Sequence, residues 1–185
     1  TLLSQVPSSS PLAIEAVAAI CTLPPAPGTF DLLIDAFSDP APAMRAAAYA
    51  AAARLDPDAF LLVLSGLGRD RDWSVRAALA TVLGTLPADR VTPALVDLTA
   101  DDDARVHGSA LRALAAVKVP DLAERLRVAL EAADFAERAT AADLVGVARI
   151  DGGATLLAAA FTRGVSDSTY AARLAAIEAL APYGE

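Results

Sequence analysis

The residue types best suited to chemistry cluster around His107, the only histidine in the sequence. The run Asp101 to Asp103 precedes it closely. An imidazole beside a carboxylate can act as a general base, and grouped carboxylates can bind a divalent cation. A single histidine, however, excludes a pair of imidazoles or a His-rich metal site. Consecutive aspartates at a helix start point in different directions and lack the glycine-bearing spacing of a calcium loop, so we expect no metal site here.

Other signals of catalysis are absent from the sequence. Cys21 is the only cysteine; it lies in an apolar helical run without a nearby base, and we interpret it as a small buried side chain. The chain has no nucleophile-elbow, phosphate-loop, zinc-peptidase or dinucleotide-binding motif. We therefore predict no catalytic residue, no metal ion and no cofactor, and that the protein is not an enzyme.

An aromatic row is a further candidate for ligand binding. Trp73, Phe135 and Tyr170 occupy equivalent positions in three segments of the chain that resemble one another. Such a row can form a ligand platform, or each ring can pack over the connection that precedes it. The sequence leaves both interpretations open.

Composition limits the partners. The net charge of −8, from 23 acidic and 15 basic residues, repels a phosphate backbone and argues against nucleic acid. Charged residues interrupt every Ala-rich segment before it reaches the length of a membrane span, so we expect no membrane insertion. Hydrophobic residues make up 55% of the chain and aromatic ones only 5%, which predicts closely packed helices of Ala, Leu and Val.

The candidate residues above are set within a repeat of 31 residues. Asp70 and Arg76 recur as Asp39 with Arg45, and then as Asp101 with His107. A later copy keeps Arg138, and after an insertion of four residues the last copy holds Asp167 and Arg173. A second column follows the same period and should be buried between paired helices: Leu33, Leu64, Leu95, Leu126 and Leu157. A period of this length is typical of a solenoid, whose units bury their apolar faces against one another.

Helix start and stop signals predict an all-α chain with one leading helix and five helical pairs. Strand alternation is absent over any useful length. The leading helix starts near Pro11, behind the possible N-caps Ser8, Ser9 and Ser10. The predicted pairs are approximately 30–37 with 42–54, 57–67 with 72–83, 90–99 with 103–116, 120–131 with 134–147, and 154–162 with 168–181.

This pattern resembles HEAT repeats, in particular the short bacterial type called phycobilisome-lyase HEAT-like. The matching features are an Asp before the second helix, an apolar residue and Arg six positions on (Met44–Arg45, Val75–Arg76), and Ala-rich turns. The resemblance implies an α-α superhelix, with residues 1–185 as one array cut from a longer chain. It also implies that two sets of equivalent residues link neighbouring units. They are the Asp column (Asp39, Asp70 and Asp167) and the Arg column (Arg45, Arg76, Arg138 and Arg173). His107 and Glu137 depart from the pattern, and we interpret His107 as a substitute within the structural Arg column.

In the family resembled, second helices line a concave groove, so we predict that a protein or peptide partner binds there. In each second helix, the residues that face outwards should lie one, five and eight positions after the residue of the Arg column. Most of these residues are small. The predicted binding residues are Ala77, Thr81, Gly108, Arg112, Asp143 and Glu178. Small side chains would admit a partner at close range, although alanine is also simply common in this chain.

We therefore expect a non-catalytic interaction or scaffold module. The alternative is an accessory region of a larger enzyme, either bilin lyase-like or a cyclophilin-type prolyl isomerase. The closing segment DSTYAARLAAIEALAPYG resembles HEAT segments that accompany such isomerases, whose catalytic domain would lie outside these residues.

Overall fold

The computed structural model describes residues 10–20 and 26–184, so Ser8, Ser9 and Cys21 lie outside the described residues. Within these ranges the chain holds eleven α-helices and no strand. They are α1 (Pro11–Ile20), α2 (Thr29–Asp35), α3 (Pro42–Leu55), α4 (Pro57–Gly66), α5 (Trp73–Leu83), α6 (Ala88–Leu98), α7 (Ala104–Ala116), α8 (Leu122–Ala129), α9 (Phe135–Ala148), α10 (Gly153–Arg163) and α11 (Ala171–Leu180). Short 3₁₀ turns follow α2, α10 and α11.

The helices confirm the predicted all-α, HEAT-like solenoid, with α1 as a leading half-unit before five pairs. Local chemistry explains the helix starts. Asp56, Asp103 and Asp134 each cap the following helix by accepting hydrogen bonds from its first backbone N–H groups. Pro42 and Pro57 occupy first-turn positions, where a missing N–H costs nothing.

The chain divides into two compact units, Thr1–Val82 and Leu83–Glu185. In the first unit an aromatic cluster fills the space between α2, α3 and α4. The ring centroids of Phe37 and Tyr49 lie 4.6 Å apart in an edge-to-face contact, and Phe60 lies about equally close to both, at 6.3 and 6.1 Å. Leu33 is buried beside them, as predicted.

One member of the leucine column was predicted wrongly. Leu64 is only partly buried, whereas Phe60, one helical turn earlier, has no exposed surface. The ring of Phe60 lies 6.1 Å from that of Tyr49, centroid to centroid, so Phe60 is the residue that α4 buries against α3.

In the second unit the column is confirmed, because Leu95, Leu126 and Leu157 are fully buried. Small residues allow the second helices to approach closely. A Cβ atom on Gly146 of α9 would lie 2.9 Å from the Ala179 Cα atom of α11, closer than real Cβ contacts allow. The close packing of α9 against α11 therefore requires a glycine at position 146.

Candidate functional site

The Arg column forms the junctions between successive repeats. Arg45 of α3 donates from Nε and Nη2 to both carboxylate oxygens of Asp70, at 2.7 and 2.8 Å. Its third nitrogen, Nη1, donates to the backbone carbonyl of Asp39 at 2.8 Å. Arg45 is thus fixed both to the turn before its own helix and to the turn of the next repeat, while only 4% exposed.

The carboxylate at this junction stays ionised. Burial alone would raise the pKa of Asp70, but hydrogen bonds from the Arg45 side chain and the Asp72 backbone N–H outweigh that effect and lower it below its ordinary value. The equivalent junction in the second unit joins Arg138 of α9 to Asp167, and Arg138 also donates to the carbonyls of Ala132 and Ala133. The implied structural role of these columns is thereby supported by direct contacts.

His107 makes both contacts that an arginine makes at this position. Its Nε2 atom lies 2.7 Å from the backbone carbonyl of Asp101, and its Nδ1 atom lies 2.7 Å from a carboxylate oxygen of Glu137. Burial lowers the pKa of His107, but hydrogen bonding to these two acceptors outweighs it and raises the pKa above 6.5. A carbonyl and a carboxylate both accept, so the charged imidazolium, which donates from both nitrogens, satisfies the site.

Glu137 is the residue whose role the sequence analysis missed. For Arg45 and Arg138 the acceptor is an aspartate in the turn before the next second helix, but Ala132 stands at that position in the fourth helical pair. Glu137, in the first turn of α9, supplies the carboxylate instead. The sequence contained a signal for this exchange. The repeat with histidine in place of arginine is followed directly by the repeat that lacks the aspartate. Asp101 to Asp103 contribute to the turn before α7 and to the N-cap of that helix.

The predicted binding residues of the first unit differ in exposure. Ala77 of α5 is buried, at 8% exposure, so a partner could not rest on its side chain without displacing neighbours. Thr81, one turn later, is exposed. In α5 the position one after the Arg column is therefore covered, while the position five after it faces solvent.

In the second unit the structure brings the other predicted residues together on three second helices. Arg112 of α7, Asp143 of α9 and Glu178 of α11 are exposed at equivalent positions, and Arg112 donates to the Thr140 hydroxyl at 3.0 Å. Gly108 is half-buried, and a Cβ atom there would lie 3.1 Å from that hydroxyl. We call these three charged residues of the second unit the second-helix row.

Desolvation by surrounding protein atoms raises the pKa of Asp143, although its side chain is exposed; the positive charge of Arg112 opposes the shift and the negative charge of Glu178 adds to it. The three charges therefore influence one another.

The prediction that the eighth position also faces outwards was wrong for Ala53 and Gly146, which are buried. Gly146 instead lies at the contact with α11.

The aromatic row is only partly exposed. Trp73 and Phe135 are half-buried at the start of their helices, while Tyr170 is 78% exposed.

Within the described ranges no group of three or more His, Cys, Asp or Glu side chains is placed to hold a metal ion. None of the helices that the structure describes combines the length and hydrophobicity needed to cross a bilayer.

Comparison with known proteins bears on these repeats. Residues 60–146, just under half of the chain, match the family model described as HEAT repeats. Comparison with curated proteins gave no match. The matched segment runs from Phe60 in α4 to Gly146 in α9, and the helical pairs before and after it follow the same order. Residues 60–146 are therefore similar to HEAT repeats, and the described chain forms an all-α, HEAT-like solenoid.

Proposed function

We propose that the chain is a non-catalytic protein-interaction or scaffold module whose partner binds along the second-helix row. HEAT repeats commonly mediate protein–protein interaction or scaffolding. The observation that carries the proposal is the exposure of Arg112, Asp143 and Glu178 at equivalent positions of α7, α9 and α11. Successive repeats thus present charges of both signs on one face, which favours a partner with complementary charges.

Among the residues that the structure describes, the members of the Arg column that we traced are already paired, which supports a non-catalytic role. Both ring nitrogens of His107 have partners within the protein, and Arg45 and Arg138 are held by carboxylates. A general base needs an accessible lone pair, which the imidazolium of His107 lacks. Binding through exposed side chains requires no such group.

A charge-reversal experiment tests the site. The variants are Arg112→Glu and Asp143→Arg in the row, with Glu124→Arg on α8 as the control. Glu124 is 72% exposed and lies outside the row, and its reversal changes net charge as Asp143→Arg does. Partners captured by the tagged parent chain would be identified and titrated against each variant. We expect the row variants to weaken binding at least about fivefold and the control less than about twofold.

A steric variant complements the charge reversals. Asp143→Trp adds bulk at an exposed position of the row, whereas a Trp at buried Ala77 would disturb the fold itself. Circular dichroism would confirm that each variant stays helical. If the same partner bound parent, row variants and control equally, the proposed site would be wrong.

The finer features of the proposal concern the class of partner. We propose a protein or peptide rather than nucleic acid, because the net charge is −8 and the row contains two carboxylates and one guanidinium. The phycobilisome-lyase subtype rests on the Asp and Arg register. Transfer of a bilin to an acceptor protein, assayed with and without this chain, tests that subtype directly.

A further inference from the structure

His107 lies between two hydrogen-bond acceptors that belong to different repeats. Its Nε2 atom is 2.7 Å from the Asp101 carbonyl of the turn before its own helix, and its Nδ1 atom is 2.7 Å from the Glu137 carboxylate of α9. A neutral imidazole donates from only one nitrogen, and the other nitrogen presents a lone pair. Loss of the proton therefore replaces one hydrogen bond by a repulsive contact between two acceptors, which has to open.

The contact that opens should be the one with Glu137. The Asp101 carbonyl belongs to a turn that is itself held by a hydrogen bond, because the Asp103 N–H donates to the Asp101 side chain at 2.9 Å. Glu137 instead reaches the ring with a long side chain, which has other rotamers available. Neutral His107 should therefore keep its proton on Nε2, facing the carbonyl, and repel the carboxylate from Nδ1.

A cavity beside Glu137 offers the released carboxylate a second position. Glu137 is 14% exposed, and it lines a cavity of about 300 Å³ together with residues of α7 and α8. Arg125 of α8 lines the same cavity and is the only basic residue among the described residues that do so. A carboxylate left buried without a partner is costly, so Glu137 should turn towards this guanidinium.

Arg125 has the capacity to bind a second carboxylate. It pairs with Asp121 at 2.7 Å, but its Nε atom has no hydrogen-bond partner among the residues that the structure describes. A guanidinium carries five N–H donors, more than one carboxylate can use. Asp121 and Glu124, the other acidic residues that line the cavity, have side chains 53% and 72% exposed, so water weakens their repulsion of Glu137.

We propose that His107 and Glu137 form a pH-sensitive latch between α7 and α9, which opens when the neutral ring releases Glu137 to Arg125. The latch is closed while His107 is charged and opens as pH rises. Arginine keeps its proton at every working pH, so the junctions made by Arg45 and Arg138 do not open in this way. The latch goes beyond the proposed function, because it requires no partner.

An NMR titration of the imidazole reports on the latch, because His107 is the only histidine in the sequence. Burial lowers the pKa of His107, while the Asp101 carbonyl and Glu137 raise it and outweigh burial. Arg125 should lower this pKa, since it stabilises the state in which Glu137 has left the neutral ring. Arg125→Gln should therefore raise the pKa of His107 further, by at least about 0.3.

Three variants separate this effect from a general effect of charge. Arg127→Gln removes the same charge from α8 at a residue that does not line the cavity, and it should change the pKa of His107 by less than about 0.1. Arg125→Lys keeps the charge and should stay near the parent value. In a Glu137→Gln background, Arg125→Gln should have no effect, because no carboxylate remains to be released.

Crystal structures of the parent chain at about pH 6 and about pH 9 test the movement itself. We expect the Glu137 carboxylate on His107 at the lower pH and on Arg125 at the higher one. Circular dichroism would confirm that each variant remains helical. The proposal is overturned if Glu137 stays on His107 at the higher pH, or if Arg125→Gln shifts the pKa of His107 equally with and without Glu137.

Discussion

At the junctions formed by Arg45, His107 and Arg138, a single guanidinium or imidazolium group satisfies two different kinds of acceptor. One acceptor is a carbonyl in the turn before its own helix, and the other is a carboxylate of the next repeat. The first contact fixes the direction of the side chain, and the second joins the repeats. This division explains why histidine can replace arginine at position 107: two ring nitrogens suffice for two acceptors, provided that the ring is charged.

Removing the donor at such a junction should be costly. Arg45→Ala leaves the Asp70 carboxylate, whose side chain is 10% exposed, without its bidentate partner. We expect a loss of about 3–5 kcal/mol in the free energy of unfolding, measured by urea titration. Arg105→Ala breaks an ion pair with Asp103 in which the arginine side chain is 59% exposed, and should cost less than about 1 kcal/mol. Equal losses would refute the structural importance of burial here.

His107 should make stability depend on pH in one direction. Its pKa is raised in the folded protein above 6.5, so its stabilisation is fully present below the unfolded value and is lost as pH rises through the folded value. The free energy of unfolding should therefore fall as pH increases from about 6.5 towards alkaline values. His107→Arg should retain the contacts without this pH dependence, and His107→Gln should also lack the slope. A parent slope equal to that of His107→Gln would contradict the assignment.

At the scale of elements, the core of each helical pair depends on which position of the first helix points at the second. Leu95 is fully buried and Leu64 is only partly buried, although they are equivalent in the repeat. Leu95→Ala should cost about 2–5 kcal/mol in urea denaturation, as large-to-small core changes do. Leu64→Ala is the matched control and should cost clearly less. Similar losses at the two positions would show that the difference in burial does not set their contributions to stability.

The elements were largely predictable because their boundaries are marked by proline, aspartate and glycine, whose effects are local. Bounds of the predicted helices differ from those observed by only a few residues. Properties that depend on contacts between residues of different helices could not be predicted from the sequence. Leu64 is only partly buried, Ala77 is buried, and Glu137 supplies the carboxylate where the aspartate is missing. In the row, Arg112, Asp143 and Glu178 were identified because a period alone places them on one surface.

At the scale of the whole molecule, a repeat array transmits a local change mainly to its neighbours. Helix α9 packs against α7, α8, α10 and α11, so a defect there should remain local. Gly146→Ala forces a Cβ atom against the backbone of Ala179. Hydrogen exchange should accelerate in α9 to α11 and stay unchanged in α3 and α4. Gly66→Ala, where a Cβ atom meets nothing within 4 Å, is the control; faster exchange in α3 or α4 of the Gly146 variant would refute this locality.

The hydrogen bond of Tyr183 has a consequence for synthesis. Its hydroxyl binds the carbonyls of Val145 and Ile150, and its ring occupies the space that a side chain on Gly153 would fill. The connection between α9 and α10 is therefore completed by a residue translated well after it. At about 5–20 residues per second, the end of α9 waits a few seconds on the ribosome before Tyr183 is available. The carbonyls of Val145 and Ile150 therefore acquire this hydrogen-bond donor only when the last residues have been synthesised.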